Sequence, residues 1–132
     1  MPEDGPLPRG VLLPAAFFAV AGLLELALGI AMAPAPTSFW RLWEALGRGT
    51  LHVLVAAGLL KRIAVCRSIA MIYCLASLTT YGIVLALALG HAPFHYPPGM
   101  VVQSLYEVPL SAVLFPFLRS RQASVLFTRP LF

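Results

Sequence analysis

The stretch SIAMIYCLASLTTYGIVLALALG, Ser68 to Gly90, runs for 23 residues without a charged side chain. A helix rising about 1.5 Å per residue needs about 20 residues to cross a hydrocarbon layer about 30 Å thick. This length and purity predict a membrane span and not a core element of a soluble domain. Leu12 to Ala33 has the same character, with one charge, Glu25, in 22 residues. Composition points the same way. Of 132 residues, 60% are hydrophobic and 11% charged, where a soluble domain carries about 25% charged residues. Such a chain cannot cover a water-facing surface.

Working outward from Ser68–Gly90, four spans fit best, at about 11–33, 44–60, 68–89 and 100–118. The expected fold is an all-α, integral membrane four-helix bundle in one domain. The first span is stopped by PAP, Pro34 to Pro36, after which Thr37 or Ser38 can cap a new helix by accepting a bond from an orphan N–H. SFWRLWEALGRG follows, with an interfacial helical segment expected at about 38–47. Trp40 and Trp43 serve there as anchors, because the indole ring is apolar while its N–H needs a partner. GTLHVLVAAGLL, Gly49 to Leu60, is short for a span and must borrow length from the tryptophan segment. Pro109 and Pro116 fall inside the fourth span, where each removes a backbone donor and predicts a bend or local irregularity. The AMA at 31–33 resembles a signal-peptidase site, but the apolar stretch is too long and MPEDGPLPRG is not basic, so a retained first span is expected.

The formal charge is +4, yet the basic residues cluster at span ends, which is a topology signal and not one for nucleic acid. Arg9, Lys61, Arg62, Arg67, Arg119, Arg121 and Arg129 fall on one side, and Arg41 and Arg48 on the other. The positive-inside rule then predicts a multi-pass membrane protein with both termini cytoplasmic. The tail, 119–132, carries Arg119, Arg121 and Arg129 between apolar residues. It is expected to lie on anionic lipid or to dock on a partner subunit.

With that threading, depths along each helix can be compared. Glu25 lies roughly 24 Å from Arg9, His52 roughly 14 Å from Lys61, Tyr81 roughly 21 Å from Arg67 and Glu107 roughly 18 Å from Arg119. Each helix thus carries its most polar residue in the central or outer half of the bilayer, with Thr79, Thr80, Gln103, Ser104 and Tyr106 in the same layer. A charge at mid-bilayer costs at least about 2.5–3.5 kcal/mol on insertion scales. Glu25 must therefore be protonated, paired with a cation or turned toward a wet cavity. Ala15, Gly22, Glu25 and Gly29 share a stripe whose small residues admit a close neighbour, and Gly49 and Ala56 share the His52 side. Gln103, Ser104, Glu107 and Ser111 share a face by i, i+3, i+4 spacing.

A cluster of Glu25, His52 and Glu107, supported by Tyr81 and Gln103, is the candidate site for a ligand or proton. Several readings are open for it: a sealed polar network that fixes helix register, a pocket or proton relay, a metal held by two carboxylates and an imidazole, or His52 as axial ligand to haem or a chlorophyll-type pigment. No cofactor is required by any motif. Cys66 and Cys74 have neither redox nor zinc spacing and are expected as reduced, packed thiols. His91 and His95 fall in a Pro-rich outer turn and are expected as loop residues, and Tyr73 and the Phe17/Phe18 pair as apolar bulk.

GLLELALGI in the first span, GTLHVLVAAGLLKR before the inner turn and the acid Glu107 in the last span resemble the domain-of-unknown-function family 2127 of small bacterial four-span membrane proteins. The likeness covers about Gly22 to Arg119. That family tends to have a Lys near the position of His52 and a Trp after the inner turn, where this chain reads AVCRS. The resemblance implies a four-helix membrane fold and transfers no functional residue. No nucleophile–base pair, phosphate loop or cysteine redox motif is present, so no catalytic residue is expected. The expected role is an accessory or structural subunit of a larger membrane complex, bound to other subunits or to itself. The alternative is a stand-alone proton-coupled transporter or ligand-binding protein with an outward-facing pocket.

Overall fold

The computed structural model describes residues 7–32, 39–90 and 98–130. These form five helices: α1 (Arg9–Met32), α2 (Phe39–Leu60), α3 (Ala64–Leu89), α4 (Pro98–Arg119) and the short α5 (Arg121–Leu126). Among the described residues there is no strand; the single β feature is an isolated parallel bridge between Ile63 and Arg129. The expected all-α class is therefore observed. Three segments, Arg9–Ala31, Ala64–Leu89 and Met100–Arg119, are long and apolar enough to cross a membrane. α2 is as long as a span but carries Glu44 and Arg48 in its N-terminal half, which lowers its hydropathy.

The tryptophan segment and the residues after it form one unbroken helix, because Gly47 and Gly49 cost helical stability without interrupting the hydrogen-bond ladder and no proline intervenes. The described part of the segment at 38–47 is thus the first half of α2. α4 also runs unbroken through Pro109 and Pro116, as α1 runs through Pro14. The expected caps at Thr37 and Ser38 and the outer turn with His91 and His95 lie outside the described residues.

The chain forms two compact units, one of residues 1–67 with 126–132 and the other of 68–125. In the first, α1 packs antiparallel on α2. The buried residues of α1 are Val11, Ala15, Phe18, Gly22, Glu25 and Gly29 beside Pro14, a seam spaced alternately four and three residues apart. Gly49, His52, Ala56 and Leu59 form the same kind of seam on α2. This 3.5-residue spacing is that of a narrow helix–helix contact, and it leaves the other faces apolar and outward, as at Leu13, Leu23, Leu24 and Leu54. Gly22 and Gly49 are the closest point. A Cβ on Gly22 would stand 2.8 Å from the carbonyl oxygen of Gly49 and 2.9 Å from His52 Cβ.

The turn from α2 to α3 is a Schellman motif. Ile63 N–H donates to Gly58 C=O at 2.9 Å and Arg62 N–H to Leu59 C=O at 2.9 Å. Arg62 holds the left-handed conformation, φ 59°, that such a turn requires. Cys66 fills the space that a side chain at Gly58 would need.

In the second unit, Ala70, Cys74, Ser77, Tyr81 and Val84 of α3 and Ser104, Glu107, Ser111, Leu114 and Leu118 of α4 form two further seams of the same spacing. Ser120 caps α5, its hydroxyl accepting from Ala123 N–H at 3.2 Å.

The tail differs most from expectation. α5 was not foreseen, and beyond it the chain folds back onto its own turn. Arg129 N–H donates to Arg62 C=O at 3.1 Å and Ala64 N–H donates to Arg129 C=O at 3.0 Å. Phe127 beside it is 1% exposed. The backbone near Arg129 is thus occupied by this chain, while the side chains of Arg119, Arg121 and Arg129 remain exposed.

Candidate functional site

Each unit buries one carboxylate, and each carboxylate is met by different chemistry. Glu25 sits on the α1 seam, one turn beyond Gly22. The close approach at Gly22 and Gly49 brings it within reach of the α2 residues at either side of Gly49. Arg48 Nε stands 2.7 Å from Glu25 Oε1, and His52 Nδ1 stands 2.9 Å from Oε2. Arg48 and His52 are four residues apart, so one helical face presents both nitrogens to the two carboxylate oxygens. His52 is 1% exposed, and the ring of Phe18 meets it edge-on with centroids 5.5 Å apart and planes at 64°.

Glu107 is fully buried on α4. Tyr73 Oη donates to its Oε1 at 2.9 Å and Ser77 Oγ to its Oε2 at 3.2 Å. Both donors are neutral and come from one face of α3, four residues apart. One turn from Ser77 toward the start of α3, the thiol of Cys74 meets the hydroxyl of Ser111 on α4. Elsewhere in the expected polar layer, hydroxyls satisfy themselves locally. Thr79 donates to Leu75 C=O at 2.9 Å and Ser104 to Val101 C=O at 2.7 Å, each within its own helix.

Of the residues singled out from sequence, Glu25 and His52 are brought into contact. Glu107 is bonded by Tyr73 and Ser77. Tyr81 is buried and Gln103 half-buried. Trp43 is 54% exposed and borders an open apolar groove of about 390 Å³ with Leu46, Gly47, Thr50, Leu51 and Leu54. The Trp40 side chain lies outside the described residues. Among the described residues no group of three or more His, Cys, Asp or Glu side chains is placed to hold a metal ion. Glu25 and His52 together supply one oxygen and one nitrogen ligand.

Sequence reasoning missed Arg48, Tyr73 and Ser77. By position Arg48 reads as an outer boundary charge, although its i, i+4 relation to His52 puts it on the same face. Tyr73 reads as apolar bulk from sequence. Its hydroxyl lies one turn from Ser77, and that pair was the available signal.

No protein family, curated protein or solved structure matches this chain.

Proposed function

We propose that this protein crosses the bacterial inner membrane four times, with the Lys61–Arg67 turn in the cytoplasm, and acts as an accessory or structural subunit of a larger membrane complex. α2 is the fourth crossing. Its 22 residues reach roughly 33 Å, and Arg48, the charge nearest its middle, is paired with Glu25. The distribution of basic residues supports the orientation.

One observation carries the subunit reading. Both buried carboxylates are engaged by side chains of their own chain, Glu25 by Arg48 and His52 and Glu107 by Tyr73 and Ser77. Polar groups used in this way fix helix register and rotation, leaving long apolar faces and the Trp43 groove for neighbours. The test is gentle solubilisation of tagged protein, followed by measurement of mass and stoichiometry. A complex of fixed composition is expected; a lone monomer or dimer overturns the reading.

Glu107 favours a second reading, proton exchange. It is an ionisable group fully buried in an apolar helix, in contact with two hydroxyls that can pass a proton on. Labelling with a hydrophobic carbodiimide, which modifies protonated carboxyls in lipid, distinguishes the two. Modification of Glu107 that rises as pH falls supports proton exchange, and no modification at any pH removes it.

A further inference from the structure

The turn between α2 and α3 collects positive charge by means of the backbone. Lys61 and Arg62 form the turn itself, and Arg67 follows one turn into α3, its N–H donating to Ile63 C=O at 3.3 Å. The two backbone bonds from Arg129 to Arg62 and Ala64, at 3.1 and 3.0 Å, fasten a fourth cation to the same place. Among the described residues of this unit the acids are Glu25 and Glu44, which lie far along α1 and α2 from this turn. Lys61, Arg62 and Arg129, held together by main-chain bonds, repel one another, and an anion placed among them relieves that repulsion.

The surroundings identify the anion. Leu60 and Val65 flank the turn at 41% and 47% exposure, and the apolar segment Ala64–Leu89 begins there. Cations at the edge of an apolar span stand at the depth of lipid phosphates. Lys61 and Arg129 are exposed, and Arg62 and Arg67 are half-buried, so the group presents both an open rim and a sheltered base. Arginine forks match phosphate oxygens in pairs.

We propose that Lys61, Arg62, Arg67 and Arg129 form a binding site for the phosphate headgroup of an anionic phospholipid, with the 127–130 segment as the strap that completes it. The site is independent of whether the protein works as a subunit or alone. Basic pockets at the cytoplasmic ends of membrane helices bind anionic lipid in this manner.

The test uses the full chain, delipidated in a neutral detergent and titrated with phosphatidylglycerol, phosphatidylcholine or inorganic phosphate, with bound adducts counted by native mass spectrometry. Saturable retention of phosphatidylglycerol over phosphatidylcholine is expected. Lys61→Gln and Arg129→Gln should each weaken it by about fivefold, the value of one cation near a membrane surface. Arg129→Pro also removes the N–H that holds the strap and should weaken binding further than Arg129→Gln. If Arg129→Pro does not fold, the two Gln variants carry the test alone. Equal retention of phosphatidylcholine, no effect of either Gln variant, or full displacement of the lipid by inorganic phosphate at matched concentration each overturns the proposal.

Discussion

Gly22 and Gly49 touch backbone to backbone. A Cβ on Gly49 would stand 2.9 Å from the carbonyl oxygen of Gly22, and one on Gly22 would stand 2.8 Å from that of Gly49. Neither oxygen can swing aside as a side chain could. This contact sets the spacing of α1 and α2 and hence the reach of Arg48 and His52 to Glu25.

Gly22→Ala should therefore lower stability by about 1–3 kcal/mol, the usual cost of overpacking. Gly47→Ala is the control, since a Cβ there meets nothing within 4 Å. That change should be neutral or stabilising by up to about 1 kcal/mol through helix propensity. Thermal unfolding in detergent, followed by helical circular dichroism, checks both.

The Glu25–Arg48 pair should show strong non-additivity. Glu25→Gln removes the carboxylate that Arg48 Nε meets, with Glu44 remaining at 4.0 Å, and Arg48→Gln leaves Glu25 facing His52. Breaking a fully buried pair costs about 3–5 kcal/mol. The Arg48 side chain is 32% exposed, so about 1–3 kcal/mol for each single variant is expected after screening. The double variant should cost clearly less than the sum. An additive cycle in the same unfolding assay would show that the ion pair contributes nothing.

Around Glu107 the order of effects follows from the bonds. Tyr73→Phe removes the shorter donor and should cost about 1–2 kcal/mol. Ser77→Ala removes the longer one and should cost less. Glu107→Ala leaves both hydroxyls facing a cavity and should cost most. A different ranking of unfolding temperatures would mean that the hydroxyls have other partners when the protein is in lipid or detergent.

At the α2–α3 turn, Arg62 occupies a conformation that a side chain resists by about 1–2 kcal/mol. Arg62→Gly relieves this, offset by the greater freedom of glycine in the unfolded chain. A net gain of up to about 1 kcal/mol is expected in neutral detergent, where no headgroup competes for the guanidinium. A loss of stability would show that the Arg62 side chain contributes more than its backbone strain.

Much of this architecture could be read from residue order, and the reasons are physical. Ser68–Gly90 has no charge, so its helical, membrane-crossing character follows from length and hydropathy alone. The stripe of Ala15, Gly22, Glu25 and Gly29 was visible because helical period and small size leave a direct mark on sequence. The partner of Glu25 was less visible. His52 stood out as an isolated polar residue, but Arg48 was masked by its neighbours Arg41 and Glu44, which made it look like one more boundary charge. Tyr73 was ambiguous because one side chain carries both an apolar ring and a donor. The return of Arg129 to Arg62 left no trace at all, since main-chain hydrogen bonds are indifferent to side-chain identity. The Schellman turn was hidden for a related reason: it places an arginine where glycine is the usual signal.

The bridge between Ile63 and Arg129 also bears on how the protein is made. Synthesis reaches Arg129 only after all of α3 and α4 have been produced, so the α2–α3 turn leaves the ribosome long before the segment that closes it. The earlier half of the molecule can pair its helices, yet it stays unlatched until the later half has been made. Assembly of this protein is therefore not strictly sequential: the first part to be made is among the last to be finished.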